Sequence, residues 1–366
     1  MQAPSAYLPD VGSHPVGPVA VVAGGERRAG LVGVHHGLFG ISAVDGSYRF
    51  LPLAHRYGFD ASELVSSGGG QEEVAVSPDG RYVGYWLADD SGDRVVGVAV
   101  YDTVRDRLST RPVASRLGLS PQVLVWAGSD RLVVGYGVIT ELTSHSMSST
   151  GAGTWVWQPG RPLTRWRAGG DLAQASANPE GVTTYAGADL RTWTTDLRHV
   201  GSFRLTGLSR DDGVQTLAVA PGRRAVAAVG TPNHSGAGHL LTGTLPAGSA
   251  RRQPVPVHRV ATPLSVQAVV GWRDPDHVLV RGALHGATGV YAVDARTGTP
   301  RRVVAEPTQT WTPGVFYASS LWSSPTARRP GPPSVLDPRL ATLAGAGLAG
   351  VLLVVVLDRR RRRALG

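Results

Sequence analysis

The 366-residue chain contains no cysteine, which excludes disulfides and thiolate metal sites and leaves the redox compartment unread. Lysine is missing too, and all 36 basic residues are arginine, the usage that high-GC, actinobacterial coding produces. Residues 1–335 lack any sustained run of apolar residues at helical spacing; short stretches rich in Val, Leu, Tyr and Trp recur there between turn residues. Nucleophile elbows of the Gly-x-Ser-x-Gly type, paired histidines spaced for zinc, phosphate-cradling loops and calcium loops are absent as motifs. These absences argue against an enzyme recognisable by motif, while leaving open an active site assembled from distant residues.

What is present points to an all-β body. A hydrophobic fraction of 42% is enough for a large core, and 48 Gly with 26 Pro imply many tight turns between short segments. Six turn signals recur at roughly 42 to 54 residues: Gly24-Gly25-Glu26, Pro78-Asp79-Gly80, Gly128-Ser129-Asp130, Pro179-Glu180-Gly181, Pro221-Gly222-Arg223 and Asp274-Pro275-Asp276. Each is flanked by β-like runs, which is a hairpin signature. A second pattern follows, a glycine before alternating apolar residues, as in Gly97-Val98-Ala99-Val100-Tyr101-Asp102 and Gly289-Val290-Tyr291-Ala292-Val293-Asp294. Four strands per unit, A to D from the axis outward, then fit units at 16–53, 71–113, 122–168, 172–206, 213–257 and 265–306. A four-stranded sheet with two apolar faces cannot bury both alone, so the units pack around a ring. The expected fold is a β-propeller of six blades, with seven as the alternative, over residues 1–322. Residues 310–322 are expected to supply strand that completes a blade with the N-terminus.

The hairpin from Val74 to Trp86, with Ser77-Pro78-Asp79-Gly80 at its turn, resembles the TolB-like and WD40-like propeller repeats. That resemblance implies a binding platform and carries over no particular activity. Ala177-Asn178-Pro179-Glu180-Gly181 and Ala220-Pro221-Gly222 depart from the motif.

Leu340 to Leu357 is an 18-residue apolar stretch with ten Leu or Val and no charge, long enough for a transmembrane helix. Asp337 is placed to cap it and Pro338 to occupy its first turn. A buried core helix is the competing reading, but the segment follows the last repeat and leads into Arg359, Arg360, Arg361, Arg362 and Arg363. Residues 323–339, with five prolines, read as an extended linker. The positive-inside rule puts the tail, 358–366, in the cytoplasm and the propeller outside a single-pass anchor in the cell membrane. Residues 1–30 contain no signal peptide, so export requires a start further upstream, and a cytoplasmic propeller is the alternative. Ala341, Gly345 and Ala349 suit a weak helix-mediated homodimer.

Net charge is +9, of which Arg359 to Arg363 supply five, leaving +4. The remaining arginines are scattered among turns, which argues against nucleic acid as a partner. The connections between strands B and C share a face with those between D and the next A, and they collect polar residues. His35, His36, Asp89, Asp90, Asp93, Glu141, His145, His234 and His285 fall there, candidates for a shared ligand or metal site against the plain reading that loops gather polar residues. His14, His55, His199, His239, His258 and His277 show no grouping and read as surface or packing residues. Trp86, Trp126, Trp155, Trp157, Trp166, Trp193 and Trp272 read as packing between blades. The functional expectation is a non-enzymatic binding or sensor module, needing no cofactor and recognising a protein or small extracytoplasmic ligand. The alternative is a lyase or hydrolase whose site is built from several blades.

Overall fold

Turn chemistry divides the described residues into 24 strands that pair chiefly with their sequence neighbours. The computed structural model describes residues 15–29, 33–54, 56, 74–143, 147–169, 174–178, 180–208, 212–232, 238–246, 252–306, 314–323 and 355–356. The first strands are β1 (Val19–Ala29), β2 (Gly33–Ser42) and β3 (Tyr48–Phe50). An antiparallel meander follows of β4 (Val74–Val76), β5 (Tyr82–Ala88), β6 (Val95–Asp102) and β7 (Arg107–Pro112). The next is β8 (Leu119–Ala127), β9 (Arg131–Leu142), β10 (Met147–Trp157) and β11 (Thr164–Arg165). Then come β12 (Gln174–Asn178), β13 (Gly181–Ala186), β14 (Asp189–Thr194) and β15 (His199–Thr206), followed by β16 (Asp212–Val219), β17 (Ala225–Pro232), β18 (His239–Thr244) and β19 (Gln253–Arg259). The last meander is β20 (Ser265–Asp274), β21 (His277–Leu284), β22 (Ala287–Asp294) and β23 (Pro300–Ala305), before the short β24 (Val315–Tyr317). Parallel pairing of β15 with β19 joins two meanders into one eight-stranded sheet at their outer edges.

The chain closes on itself. β24 pairs antiparallel with β1 and becomes the innermost strand of the sheet β24-β1-β2-β3, as expected of residues 310–322. Contacts link the innermost strands β24, β4, β8, β12, β16 and β20 in succession, and the 3-10 turn Ser319–Ser323 after β24 packs on β20. Apolar side chains form separate layers between neighbouring sheets. Trp86, Trp126 and Leu132 pack between the β4–β7 and β8–β11 meanders, and Val229, Val266, Trp272 and Val278 between the last two. Each large side chain so buried contributes about 1.5–3 kcal/mol. This is an all-β, propeller-like arrangement.

Indole hydrogen bonds repeat with the units. Trp126 on β8 donates its ring N–H to the Ala75 carbonyl of β4 at 2.9 Å, and Trp272 on β20 donates to the Ala218 carbonyl of β16 at 3.1 Å. The second sequence pattern also has a cause in close approach. A Cβ on Gly97 would lie 2.3 Å from the Arg111 carbonyl oxygen, and one on Gly289 would lie 2.3 Å from that of Val304. The aspartate that ends each of these strands caps the turn after it. Asp102 accepts the Val104 and Arg105 amides at 3.1 Å, and Asp294 accepts those of Arg296 and Thr297 at 2.9 and 2.7 Å.

Five of the turn signals lie between a first and a second strand, as expected. Gly24-Gly25-Glu26 does not: it lies inside β1. A Cβ on Gly25 would meet the Phe39 ring at 3.1 Å, so that glycine makes room for an aromatic ring and turns nothing. Of the expected membrane helix 340–357, the linker 323–339 and the basic tail 358–366, only Ser323, Val355 and Val356 fall within the described residues. Among the described residues no helix is long and apolar enough to cross a membrane.

Candidate functional site

The expected ligand face is partly described. Asp89, Asp90 and Asp93 lie in the connection from β5 to β6, where Asp89 holds its own turn together. It accepts Arg94 Nε at 2.7 Å and the Ser91 hydroxyl at 2.8 Å, and the Arg94 guanidinium, then the Ser91 hydroxyl, hold its carboxyl down at about 2. Glu141 is an exposed residue of β9 paired with Ser148 of β10. The strand thus runs on past Glu141, which was expected in a connection, and only 143–146 lie between β9 and β10. His285 lies in the expected connection, from β21 to β22, where with Gly286 it forms a two-residue hairpin turn, both at positive φ (50° and 80°), the geometry that right-twisted strands favour. His35 and His36 were expected in a connection but belong to β2, opposite Arg27 and Glu26 of β1. His145 and His234 lie outside the described residues, as do Arg359, Arg360, Arg361, Arg362 and Arg363. Among the described residues no group of three or more His, Asp or Glu could hold a metal ion.

On the opposite face, where the first-to-second and third-to-fourth strand turns emerge, an open groove of about 610 Å³ separates the last two meanders. Its walls include Thr242, His258, Trp272, Asp276, His277 and Arg296. The structure thus brings His258 and His277 together, two residues that show no grouping in the sequence. His258 Nε2 contacts the Thr242 hydroxyl at 3.2 Å, and His277 Nδ1 contacts Asp274 at 2.8 Å. Burial works to raise the Asp274 carboxyl, but the His277 ring and the amides of Asp276 and His277 outweigh it and leave the group below the ordinary range. Asp294 is also lowered, first by the Thr297 amide and then by that of Arg296. Asp274 and Asp294 are therefore committed to their own turns, and beside the Trp272 indole the groove presents two histidines that are each held by a neighbouring side chain.

A third feature lies at the axis. A cavity of about 80 Å³ is lined by Gln122 of β8, Gln174 of β12 and Gln215 of β16, with Ser176, Tyr185 and Thr216. Sequence reasoning missed these glutamines because it looked for histidines and acids. The signal was available: Gln71, Gln122, Gln174, Gln215 and Gln267 recur with the period of the units, each near the start of an innermost strand or just before it.

With this geometry in hand, comparison with known proteins adds little. No family model and no curated protein matches the chain. Solved structures to which it is similar include Hsv2 of Kluyvelomyces marxianus, at 11% identity and a TM-score of 0.37 over 75% of this chain and 92% of that one. U3-55K matches at 12% identity and 0.41, over 82% and 86% of the two chains. A structure from work on two prolyl endopeptidases matches at 13% and 0.41, over 79% of this chain and 43% of that one.

Proposed function

We propose that the chain is a six-bladed β-propeller of the TolB-like or WD40-like kind, anchored in the cell membrane by residues 340–357 and serving as a non-enzymatic module that binds a protein partner. The observation that carries this reading is the groove between the last two meanders. It is open, walled by His258, His277, Arg296 and Trp272, and the Asp274 and Asp294 carboxylates beside it are tied down by backbone amides and a histidine ring. Such a surface orients a partner's polar groups at low entropic cost, because His258 and His277 are already held. Six four-stranded groups, five meanders and one closed by β24, support the blade count. The Ser77 hydroxyl bonds Asp79 at 2.6 Å across the Pro78 turn, which supports the repeat type. For the anchor, the support is the uninterrupted apolar run and the five arginines after it.

A photo-crosslinking residue placed at Arg296 in the full chain, expressed in its own cells, should give one discrete adduct. The same residue at Arg105, in the corresponding turn of the β4–β7 meander, should not. Equal labelling at both positions overturns the groove as the docking surface. The rival reading, an enzyme, draws on one contact, His277 held by Asp274 at 2.8 Å; turnover abolished by His277→Ala would establish it. Protease added to intact spheroplasts should digest the propeller and spare an epitope after Gly366, and a propeller protected until permeabilisation places the partner inside the cell.

A further inference from the structure

The innermost strands β8, β16 and β20 each slip register near their start, between Pro121 and Val123, between Val214 and Thr216, and between Val266 and Ala268, and β20 slips twice more further along. Near the start the extra residue is a glutamine each time: Gln122, Gln215 and Gln267. A bulge leaves its extra residue out of the ladder and re-aims the side chain. Here two of the three bulges deliver a carboxamide to the axial cavity, where Gln174, the first residue of β12, joins them. Gln267 is exposed and stands outside the lining.

The cavity's polar groups are under-used. Gln174 Nε2 reaches the Gln215 carbonyl only at 3.5 Å. The Gln122 and Gln215 side chains hydrogen-bond no other described residue. The Ser176 hydroxyl is enclosed and has no partner. Enclosed polar atoms without partners are uncommon in folded proteins and mark places where something else completes the bonding. Thr216 is already occupied, accepting the Val269 amide at 2.9 Å, and the Tyr185 hydroxyl donates to the Gln215 carbonyl at 3.2 Å.

Among the described residues no charged side chain lines this cavity, so nothing there compensates an ion for its lost hydration. A carboxamide offers an acceptor oxygen and two donor hydrogens at fixed separation. That arrangement matches a pair of neighbouring hydroxyls, each both donor and acceptor. A room of about 80 Å³ holds several waters, enough to take one edge of a monosaccharide. We propose that the axial cavity formed by Gln122, Gln174, Gln215 and Ser176 binds the edge of a neutral sugar. This site is separate from the groove and does not rest on it.

The test is saturation-transfer NMR on the full chain, held in a detergent without a sugar head group, with glucose, galactose, N-acetylglucosamine and trehalose as probes. At least one should give a saturable signal. Gln122→Leu and Gln215→Leu should each weaken it by about tenfold or more, while Gln267→Leu leaves it within about twofold because that side chain lies outside the cavity. Where a leucine variant unfolds, Gln122→Asn, which keeps the chemistry and withdraws it by one methylene, should give the same loss. Overturning results are silence from all four sugars at millimolar concentration, unchanged affinity in the folded Gln122 and Gln215 variants, or tighter binding of glucose 6-phosphate than of glucose.

Discussion

Tyr317 donates its hydroxyl to Glu306 at 2.7 Å, across the seam where the last strand meets the last meander. Arg281 Nε reaches the other carboxylate oxygen at 2.9 Å, so one buried carboxylate ties β24 to β21. Glu306 is 5% exposed and Arg281 30% exposed in their side chains. Glu306→Ala strands a phenol and a half-buried guanidinium together, and should cost about 2–4 kcal/mol, less than a fully buried pair because Arg281 reaches solvent. Tyr317→Phe should cost about 1–2 kcal/mol. Urea midpoints of the two variants measure the difference.

Three phenols give the fold an alkaline limit. Burial raises Tyr85, burial and then Asp106 raise Tyr101, and burial and then Glu306 raise Tyr317, all above the ordinary 10.0. The unfolded chain releases these protons as pH passes that value while the folded chain keeps them. Their contribution is therefore full below about pH 10 and is lost as pH rises beyond it. Unfolding midpoints should fall between about pH 9 and 11. Tyr101→Phe, which also removes a 2.6 Å bond to Asp106, should lower stability at neutral pH and flatten that slope.

Asp89 supplies the acid counterpart. With its carboxyl held at about 2 by Arg94 and Ser91, the order it gives the 89–94 turn is full above the ordinary carboxylate value of 3.8 and is lost as pH falls through about 2. Carbon-detected NMR titration should place the midpoint there, and Arg94→Gln should move it upward.

The repeated glycines test whether the sequence pattern is steric. Gly97→Ala and Gly289→Ala push a methyl against a backbone oxygen at 2.3 Å, and each should cost about 1–3 kcal/mol or more. Gly160→Asn, at φ 86° in open space, should change stability by well under about 1 kcal/mol. Thermal melts of the three variants order them.

Much of this was readable from the sequence because turn chemistry is local. Pro78-Asp79-Gly80 and Asp274-Pro275-Asp276 dictate hairpins from their own side chains, and the expected unit boundaries fall within a few residues of the strands. Gly24-Gly25 misled because a glycine demanded by a ring three-dimensionally above it looks the same in sequence as one demanded by a turn. His35 and His36 misled because β1 and β2 continue past the point where a connection was expected. The glutamine cavity was hidden by the bulges, since alternation along a strand gives no hint that one residue has been turned out of the ladder. His258 and His277 line one groove only because two meanders pack, which no local pattern encodes.

The closing strand also determines how the molecule meets tension. Any pull on the chain beyond Ser323 arrives first at the Ser319–Ser323 turn, where Trp322 is clamped 4.9 Å from the Tyr317 ring and covers Gly271 of β20. It then falls on β24, three residues paired to a single neighbour. The seam that completes the ring is thus its mechanical fuse: load peels Val315–Tyr317 from β1 and opens the circle there, before any complete meander is strained.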